Sequence, residues 1–241
     1  MATTFLDAEW RKLLMANYAI DAKILQKYVP HNTEIDYWNA NCYVSLVGFM
    51  FLNTKMLGIK IPFHINFEEV NLRFYVRYKE GDKWRRGVVF IKEIVPKIML
   101  SLVANTLYRE HYETMPMKHF WETNKNENKE ETLTVEYSWK KDKWHSLKVI
   151  ADAKLSKIED ESEEEFITEH YWGYTKFNDK KTSEYGVEHP KWDIYKVKEY
   201  FIDIDFEQIY GEDFKFLQDL KPTSVFLAEG SQIKVNSKRI V

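Results

Sequence analysis

The segment NFEEVNLRFYVRY, residues 66–78, alternates strictly between apolar and polar side chains. The apolar or aromatic positions are Val70, Leu72, Phe74, Val76 and Tyr78, and the alternate positions are Glu69, Asn71, Arg73, Tyr75 and Arg77. This alternation predicts a β-strand, because successive side chains of a strand point to opposite faces. The apolar face must be buried, whereas the polar face could meet water or line an enclosed cavity. From these residues alone, a strand with one solvated face is the commoner arrangement.

Hairpin patterns dominate the rest of the chain. Strands are predicted at 13–20, 41–52, 65–79, 85–95, 132–139, 144–153, 171–177 and 194–203, with a final strand pair at 224–235. Short helices are predicted at 21–29, 97–112, 163–171 and 206–220, the first with Asp21 as its N-cap and the last one bent at Gly211. A polar loop is predicted at 123–131. Ser162 with Glu165 fits a capping box, so the acidic run at 159–165 is expected to be the solvated start of a helix.

This pattern predicts an α+β fold, mainly antiparallel β, with a sheet long enough to close into a barrel. No segment rich in Pro, Gly or Ser interrupts the 241 residues, so we expect a single domain over 1–241. Aromatic residues make up 16% of the chain, which favours strands and the walls of ligand pockets.

The composition also argues against several classes of partner. A formal net charge of −3 gives no sign of a nucleic-acid-binding surface. The start MATTFLDAEW is unlike a signal peptide, and the longest apolar run, 43–52, is too short to span a membrane. The single cysteine, Cys42, permits no internal disulfide and is expected to be a buried small hydrophobe. We therefore expect a soluble, cytoplasmic protein; the sequence does not indicate its oligomeric state.

Motifs for several kinds of chemistry are absent. The sequence contains no Gly-rich phosphate loop, no dinucleotide fingerprint and no G-x-S-x-G. Its seven histidines are scattered without the spacing of a metal site, and Glu169 beside His170 need not face it. No cofactor and no metal site are expected.

Six segments, in one order along the chain, resemble the uncharacterised YqjF-like proteins. They are W-R-K-L-L-x-A-N-Y-x-I-D-x-x-x-L-x-x-Y-V-P from Trp10, F-x-E-x-N-x-R-x-Y-V from Phe67, R-G-V-V-F from Arg86, F-I-T-E-H-Y-W from Phe166, H-P-x-W from His189 and S-V-F-L-A-E-G from Ser224. That family is grouped with acetoacetate decarboxylase-like proteins, and ILQKYVPHNTEID (24–36) resembles a decarboxylase stretch.

The resemblance implies a closed or nearly closed antiparallel barrel of the acetoacetate decarboxylase-like type, with a few short peripheral helices and a central cavity of ligand size. Alternate residues of a barrel strand line its interior. Glu69, Asn71, Arg73 and Tyr75 would then form one polar wall, in which Asn71, Arg73 and Tyr75 bind substrate. A buried arginine needs an anion, which Glu69 or a carboxylate ligand could supply. By resemblance to the decarboxylases, Glu69 is the candidate catalytic acid or base.

Lys97 is the second candidate catalytic residue. The decarboxylases use a lysine that follows a proline and precedes a second lysine, and it forms a Schiff base with a β-keto acid. Pro96-Lys97 lies at about the right place, but the next residue is Ile98, so the adjacent cation is missing. Without such a neighbour a lysine amine stays protonated near pH 7, and Lys97 could equally be an exposed residue at the start of a helix.

Three functions remain open. The first is a non-catalytic barrel that binds a small carboxylate or carbonyl compound. The second is a decarboxylase- or lyase-like enzyme acting on a small keto acid. The third is a structural barrel whose polar line is a sealed internal network without a ligand.

Overall fold

The structure is a computed structural model that describes residues 4–125 and 130–241. Within these ranges most residues belong to strands. The strands are β1 (Thr4–Ile20), β2 (Thr33–Ile35), β3 (Cys42–Met56), β4 (Phe67–Glu80), β5 (Lys83–Val95), β6 (Tyr112–Thr114), β7 (Met117–Lys125), β8 (Glu131–Lys141), β9 (Lys143–Lys157), β10 (Trp172–Asn178), β11 (Lys181–Glu188), β12 (Asp193–Asp203), β13 (Ser224–Asn236) and β14 (Arg239–Ile240). The helices are α1 (Ile98–Val103), α2 (Glu163–Thr168) and α3 (Phe206–Tyr210), with a π-helical turn at Ala104–Tyr108 and 3-10 turns at Ala22–Ile24, Gln26–Tyr28 and Glu212–Asp219.

The predicted fold of mainly antiparallel strands with a few short helices is confirmed. The strands form one sheet in the order β14-β11-β10-β5-β4-β3-β1-β13-β12-β9-β8-β7. Neighbours are antiparallel except β5 with β10 and β5 with β6. β11 also pairs with β13, so β1, β3, β4, β5, β10, β11 and β13 are connected in a ring.

Two of the strand pairings in this ring, β5 with β10 and β11 with β13, involve only two residue pairs each. β5 and β10 pair at Gly87 with Trp172 and at Val88 with Gly173. A Cβ atom on Gly87 would lie 2.5 Å from the carbonyl oxygen of Trp172, so the close approach of the two strands requires glycine there. β11 and β13 likewise pair at only two positions, beginning with Val187 opposite Val235.

Both faces of the central strands are buried. On β4, Leu72 and Phe74 belong to an apolar cluster shared with β8, β9 and α3, whereas Phe67 and Tyr75 belong to a second cluster inside the ring. The polar face of this strand is therefore buried between Glu69 and Tyr75, the arrangement that the family resemblance implies, and not solvated, as alternation alone would favour. Strand β3 is buried on both faces as predicted.

A β-bulge shifts the alternation of β5. Leu72 pairs with Lys92 and Arg73 pairs with Phe90, which leaves Ile91 as an extra residue without a partner on β4. Val88 and Phe90 face the interior of the ring, and beyond the bulge Glu93 does so too. Lys92 is directed elsewhere and donates to Glu113 over 2.8 Å.

Several local predictions hold. Asp21 caps its 3-10 turn through a hydrogen bond from the Lys23 backbone N–H, and Ser162 caps α2 by accepting from the Glu165 backbone N–H. Glu165 completes the cap by accepting from the N–H of Glu161 rather than that of Ser162. Gly211 separates α3 from the 3-10 turn that follows, with φ of 95°.

Other local predictions are wrong. Residues 224–235 form one continuous strand and not a pair, because β13 reaches across both β1 and β12. The helix predicted for 97–112 ends early and gives way to the π-helical turn and β6. Strand β11 is not among the predicted strands. The predicted loop at 123–131 is shorter than expected, because β7 and β8 extend into its two ends. Residues 126–129 of that loop lie outside the described residues. Among the described helices, none has the length and apolar character to cross a membrane.

Candidate functional site

A cavity of about 150 Å³ lies inside the ring. Each of the seven ring strands contributes at least one lining residue, and most lining side chains are apolar or aromatic. The polar exceptions are Glu69, Asn71, Arg73, Glu93, Glu110, Tyr112, His170 and Tyr185. A small, mostly apolar cavity with a few converging polar groups is typical of small-molecule sites.

Three of the five residues singled out in the sequence line this cavity. Glu69, Asn71 and Arg73 project from the same face of β4, as the alternation predicts. Tyr75, next on that face, is buried but is not a lining residue. Lys97 is half-buried at the residue before α1 and does not line the cavity either.

Arg73 is a buried cation with few partners. Its side chain is 8% exposed, and its Nη2 donates to the carbonyl oxygen of Ile167 over 3.5 Å. The guanidinium Cζ lies 5.7 Å from the ring centroid of Tyr75. Its Nε has no hydrogen-bond partner, and no carboxylate of the described residues forms an ion pair with it. A guanidinium buried in this way has strong unused capacity to bind an anion.

Glu69 is held by neutral groups. Its Oε1 accepts from Asn71 Nδ2 over 3.0 Å, and its Oε2 accepts from the Tyr112 hydroxyl over 3.3 Å. Burial raises the pKa of Glu69 to about 7, although these hydrogen bonds and the charge of Arg73 act in the opposite direction. A carboxyl group with this pKa can hold or release a proton near neutral pH. Asn71 Oδ1 accepts no hydrogen bond from the described residues.

Two further carboxyl groups share the cavity wall. Burial raises the pKa of Glu110 to about 7, against the effect of a hydrogen bond from Thr175. Burial, followed by the charges of Glu110 and Glu69, raises the pKa of Glu93 well above its usual range. The raised pKa values favour the neutral carboxyl groups, and a protonated carboxyl can donate a hydrogen bond into the cavity. Across residues 4–125 and 130–241, no set of His, Cys, Asp and Glu side chains is arranged to hold a metal ion.

His170 lies on the wall of the same cavity. Its Nε2 is 3.1 Å from Oδ2 of Asp36, the oxygen that also accepts from Arg86 Nε over 2.7 Å. Although burial disfavours the charged carboxylate, the hydrogen bonds from His170 and Arg86 lower the pKa of Asp36 below its usual value. Burial lowers the pKa of His170 to about 4, so this imidazole is neutral at pH 7. Its Nδ1 has no partner among the described residues.

Tyr75 belongs to a separate hydrogen-bond chain. Its hydroxyl donates to Ser45 Oγ over 2.7 Å, and Ser45 donates to Asn17 Oδ1 over 2.6 Å. Asn17 then donates to Ser224, which in turn donates to Glu163 at the start of α2. These hydrogen bonds link β4, β3, β1 and β13 to α2. The Tyr75 hydroxyl is therefore already engaged as a donor.

Two of the residues missed in the sequence, Glu93 and His170, have identifiable signals. Glu93 lies just beyond the R-G-V-V-F segment. Because of the bulge at Ile91, regular alternation along β5 predicts the wrong face for its side chain. His170 lies within the F-I-T-E-H-Y-W segment, where the adjacent Glu169 is the only nearby partner that the sequence offers. Its actual partner, Asp36, is 134 residues away. Glu110 lies in what was predicted to be a helix, and no pattern marked it.

Comparison with known proteins gives the family and the fold. The profile of the family DUF2071, described as an uncharacterized conserved protein, matches residues 7–232. "Uncharacterized protein YqjF" of Bacillus subtilis (strain 168) is 27% identical over 187 residues, which are 76% of this chain and 72% of that protein.

Two solved structures illustrate the fold. Acetoacetate decarboxylase from Legionella pneumophila superposes with a TM-score of 0.65 at 11% identity, covering 98% of this chain and 87% of the other. The enduracididine biosynthesis enzyme MppR, solved in complex with pyruvate, superposes with a TM-score of 0.68 at 10% identity, covering 100% and 91%. At these identities the likeness shows the acetoacetate decarboxylase-like fold alone.

Proposed function

This chain belongs to the DUF2071 family, and from the geometry of its cavity we propose that it binds a small carboxylate, with Arg73 as the anion-binding group. The observation that carries the proposal is the burial of Arg73 without a carboxylate partner among the described residues. Removing a charged group from water costs several kcal/mol unless an opposite charge compensates for it. A bound carboxylate would supply that charge in bidentate geometry.

The rest of the wall supports a small acid with a further oxygen, such as a keto or hydroxy acid, as the ligand. Aromatic and aliphatic side chains would contact its carbon atoms, and Asn71 offers an amide oxygen without a partner. Protonated Glu93 can donate to a second ligand oxygen, such as a carbonyl. Binding of pyruvate by MppR, a neighbour in fold, is consistent with a ligand of this size. We assign to Tyr75 a supporting role, with its ring beside the Arg73 guanidinium.

The proposal includes the setting of the site. We infer that the ring of seven strands is a closed barrel around the cavity, supported by the β11–β13 pairing. Residues 1–241 would then be a single domain, since the family profile runs through nearly all of them. A cytoplasmic location, supported by a sequence with a single cysteine, completes this part of the proposal.

An enzyme acting on a keto acid is the second candidate function, and the carboxyl of Glu69 favours it. With a pKa of about 7, Glu69 could serve as acid or base for a ligand in the cavity. Lys97 would have to approach the ligand to form a Schiff base. Borohydride reduction with acetoacetate tests this, since a mass adduct on Lys97 would support the role and an unmodified Lys97 would end it. A sealed structural network is disfavoured by the partnerless Arg73 Nε and Asn71 Oδ1.

Calorimetric titration and thermal-shift measurements with pyruvate, acetoacetate and propionate test the carboxylate site. We expect binding to the wild type and a loss of at least about tenfold in affinity in Arg73→Ala, because a charge-assisted hydrogen-bonded pair contributes more than 1.4 kcal/mol. Arg77→Ala is the matched control, since Arg77 lies on the same strand but pairs with Glu34 at the surface. Its affinity should equal that of the wild type.

Uncharged analogues test the role of the ligand charge on the wild-type protein, so the result does not depend on whether a variant folds. Pyruvamide and propionamide have nearly the shape of the acids without their charge, so the wild type should bind them at least about tenfold more weakly. Equal affinity for acid and amide, or equal affinity of wild type and Arg73→Ala for the acids, would overturn the proposal.

A further inference from the structure

His170 lines the cavity, and its Nδ1 is buried without a hydrogen-bond partner among the described residues. The ring is held by Asp36 at Nε2 and packs against Tyr75, with 4.7 Å between ring centroids, and against Phe166 at 5.1 Å. The side chain is 1% exposed, so water does not replace the missing partner of Nδ1 from outside. A buried polar atom without a partner costs about 1–3 kcal/mol, which makes a ligand group its natural complement.

The hydrogen bonds of Asp36 fix the tautomer of His170. Asp36 is ionised at neutral pH because His170 and Arg86 both donate to it, and an ionised carboxylate can only accept. The imidazole proton must therefore reside on Nε2. Nδ1 then carries the lone pair, so it can accept a hydrogen bond and cannot donate one.

His170 and Arg73 lie close together. The Arg73 guanidinium donates to the carbonyl oxygen of Ile167, three residues before His170, and both side chains are in contact with the ring of Tyr75. The charge of Arg73 acts directly on His170, where it opposes protonation of the ring. A ligand carboxylate on Arg73 would therefore place its first carbon atoms beside His170.

We propose that Nδ1 of His170 accepts a hydrogen bond from a hydroxyl group of the ligand, and that the ligand is a short carboxylate with a hydroxyl one or two carbons from the carboxyl group. This inference rests on the proposed binding of a carboxylate by Arg73. It adds a second contact that selects hydroxy acids over acids without a hydroxyl.

A hydroxyl fits this position better than an ammonium group. Both could donate to Nδ1, but Arg73 and Arg86 are the charged groups that act most strongly on His170 besides Asp36. The Asp36 carboxylate is already shared between Arg86 and His170. An ammonium group would meet this positive potential, whereas a neutral donor would not.

Matched ligand pairs separate the hydroxyl contact from the carboxylate contact. Titration with propionate reports on Arg73 alone, and lactate in either enantiomer and 3-hydroxybutyrate report on both contacts. For the wild type we expect the better lactate enantiomer or 3-hydroxybutyrate to bind about tenfold tighter than propionate or butyrate, respectively. Alanine, with an ammonium in place of the hydroxyl, should bind no better than propionate.

His170→Gln provides the selective variant. The glutamine side-chain amide can still donate to Asp36 from a position near that of Nε2, but it has no acceptor at the place of Nδ1. We expect propionate affinity to stay within about twofold of the wild type, while the advantage of the hydroxy acids disappears. Nitrogen NMR of labelled histidine should show Nδ1 unprotonated in the free protein.

The outcomes distinguish the two proposals. Propionate binding that depends on Arg73, with no preference for hydroxy acids or with a preference that survives in His170→Gln, would overturn the His170 assignment and leave the carboxylate site intact. A proton on Nδ1 in the free wild-type protein would also overturn it. Loss of Arg73-dependent binding of propionate itself would overturn the proposed function.

Discussion

Asn71 Nδ2 donates a hydrogen bond of 3.0 Å to Oε1 of Glu69, two residues earlier on the same face of β4. Tyr112 donates to the other carboxyl oxygen. Glu69 thus takes its partners from neutral groups, and Arg73, the next residue on this face, is left without a carboxylate. Glu69 and Arg73 therefore do not pair with each other, and each can interact with a ligand.

Replacing Arg73 should stabilise the ligand-free protein. Its buried charge lacks a carboxylate partner among the described residues, so Arg73→Met should raise the free energy of unfolding by about 1 kcal/mol, measured by urea denaturation. Arg85→Met is the contrast, because Arg85 pairs with the fully buried Glu184. Its removal should cost about 2 kcal/mol, since only Arg239 would remain to compensate that carboxylate. A similar cost for both variants would instead place Arg73 in a structural network.

Glu69 should make stability depend on pH. Its pKa rises from an ordinary 4.5 to about 7, so the folded state binds a proton more tightly than the unfolded state. This stabilising contribution is complete below pH 4.5 and is lost as the pH rises through about 7. Between pH 5 and pH 8, wild type should lose up to about 3 kcal/mol relative to Glu69→Gln.

The comparison with the variant reports the titration of Glu69 together with the effect of its charge on Glu93 and Glu110. His170, whose lowered pKa acts in the opposite direction below pH 6.5, is present in both proteins. Glu199→Gln, an exposed site on β12, should reproduce the wild-type pH profile. Parallel profiles for wild type and Glu69→Gln would show that the Glu69 carboxyl titrates normally.

The pairing of β5 with β10, which involves only two residue pairs, should be weakened by one added methyl group. In Gly87→Ala the new Cβ would lie 2.5 Å from a backbone oxygen of Trp172, which cannot move without disturbing β10. We expect a loss of about 2 kcal/mol in the free energy of unfolding. Gly186→Ala on β11 is the control, because its Cβ would meet its nearest atom at 3.4 Å, and its stability should change by less than about 0.5 kcal/mol.

Cys42 should be unreactive in the folded protein. It is 3% exposed, and burial, followed by the charge of Asp21, raises its pKa to about 12. Almost no thiolate exists at pH 8 under these conditions, and the thiolate is the reactive form. A chromogenic disulfide reagent should therefore report no thiol in native protein and one thiol per chain in denaturant. Rapid reaction of the native protein would contradict the buried position.

The sequence predicts the β4 part of the site well, because an uninterrupted strand obeys strict alternation. Alternation places Glu69, Asn71 and Arg73 on one face, and the family resemblance implies that this face lines a cavity, as it does in the structure. The same rule fails on β5, where the unpaired Ile91 shifts the alternation by one residue before Glu93. Local patterns do not reveal such a bulge, since it depends on pairing with β4.

Long-range partners were also beyond reach of the sequence. His170, just after α2, meets Asp36, just after β2, because α2 packs against the ring, with Phe166 against Tyr75 of β4. Alternation predicts that Tyr75 lies on the same face as Arg73, and its side chain is buried there. Its hydroxyl, however, donates to Ser45 on the adjacent strand. Alternation predicts a direction, whereas the use of a polar atom depends on which strands become neighbours.

The extra residue on β5 has a consequence for the chemistry that this scaffold can acquire. Lys92 and Glu93 are adjacent in the chain, and the bulge at Ile91 turns the carboxyl inward and the amine outward. In a regular register, with Ile91 opposite Leu72, the amine would occupy the inner position instead. A shift of one residue in the pairing of β5 with β4 would thus place an amine where Glu93 now stands, in the same cavity as the carboxyl groups of Glu69 and Glu110.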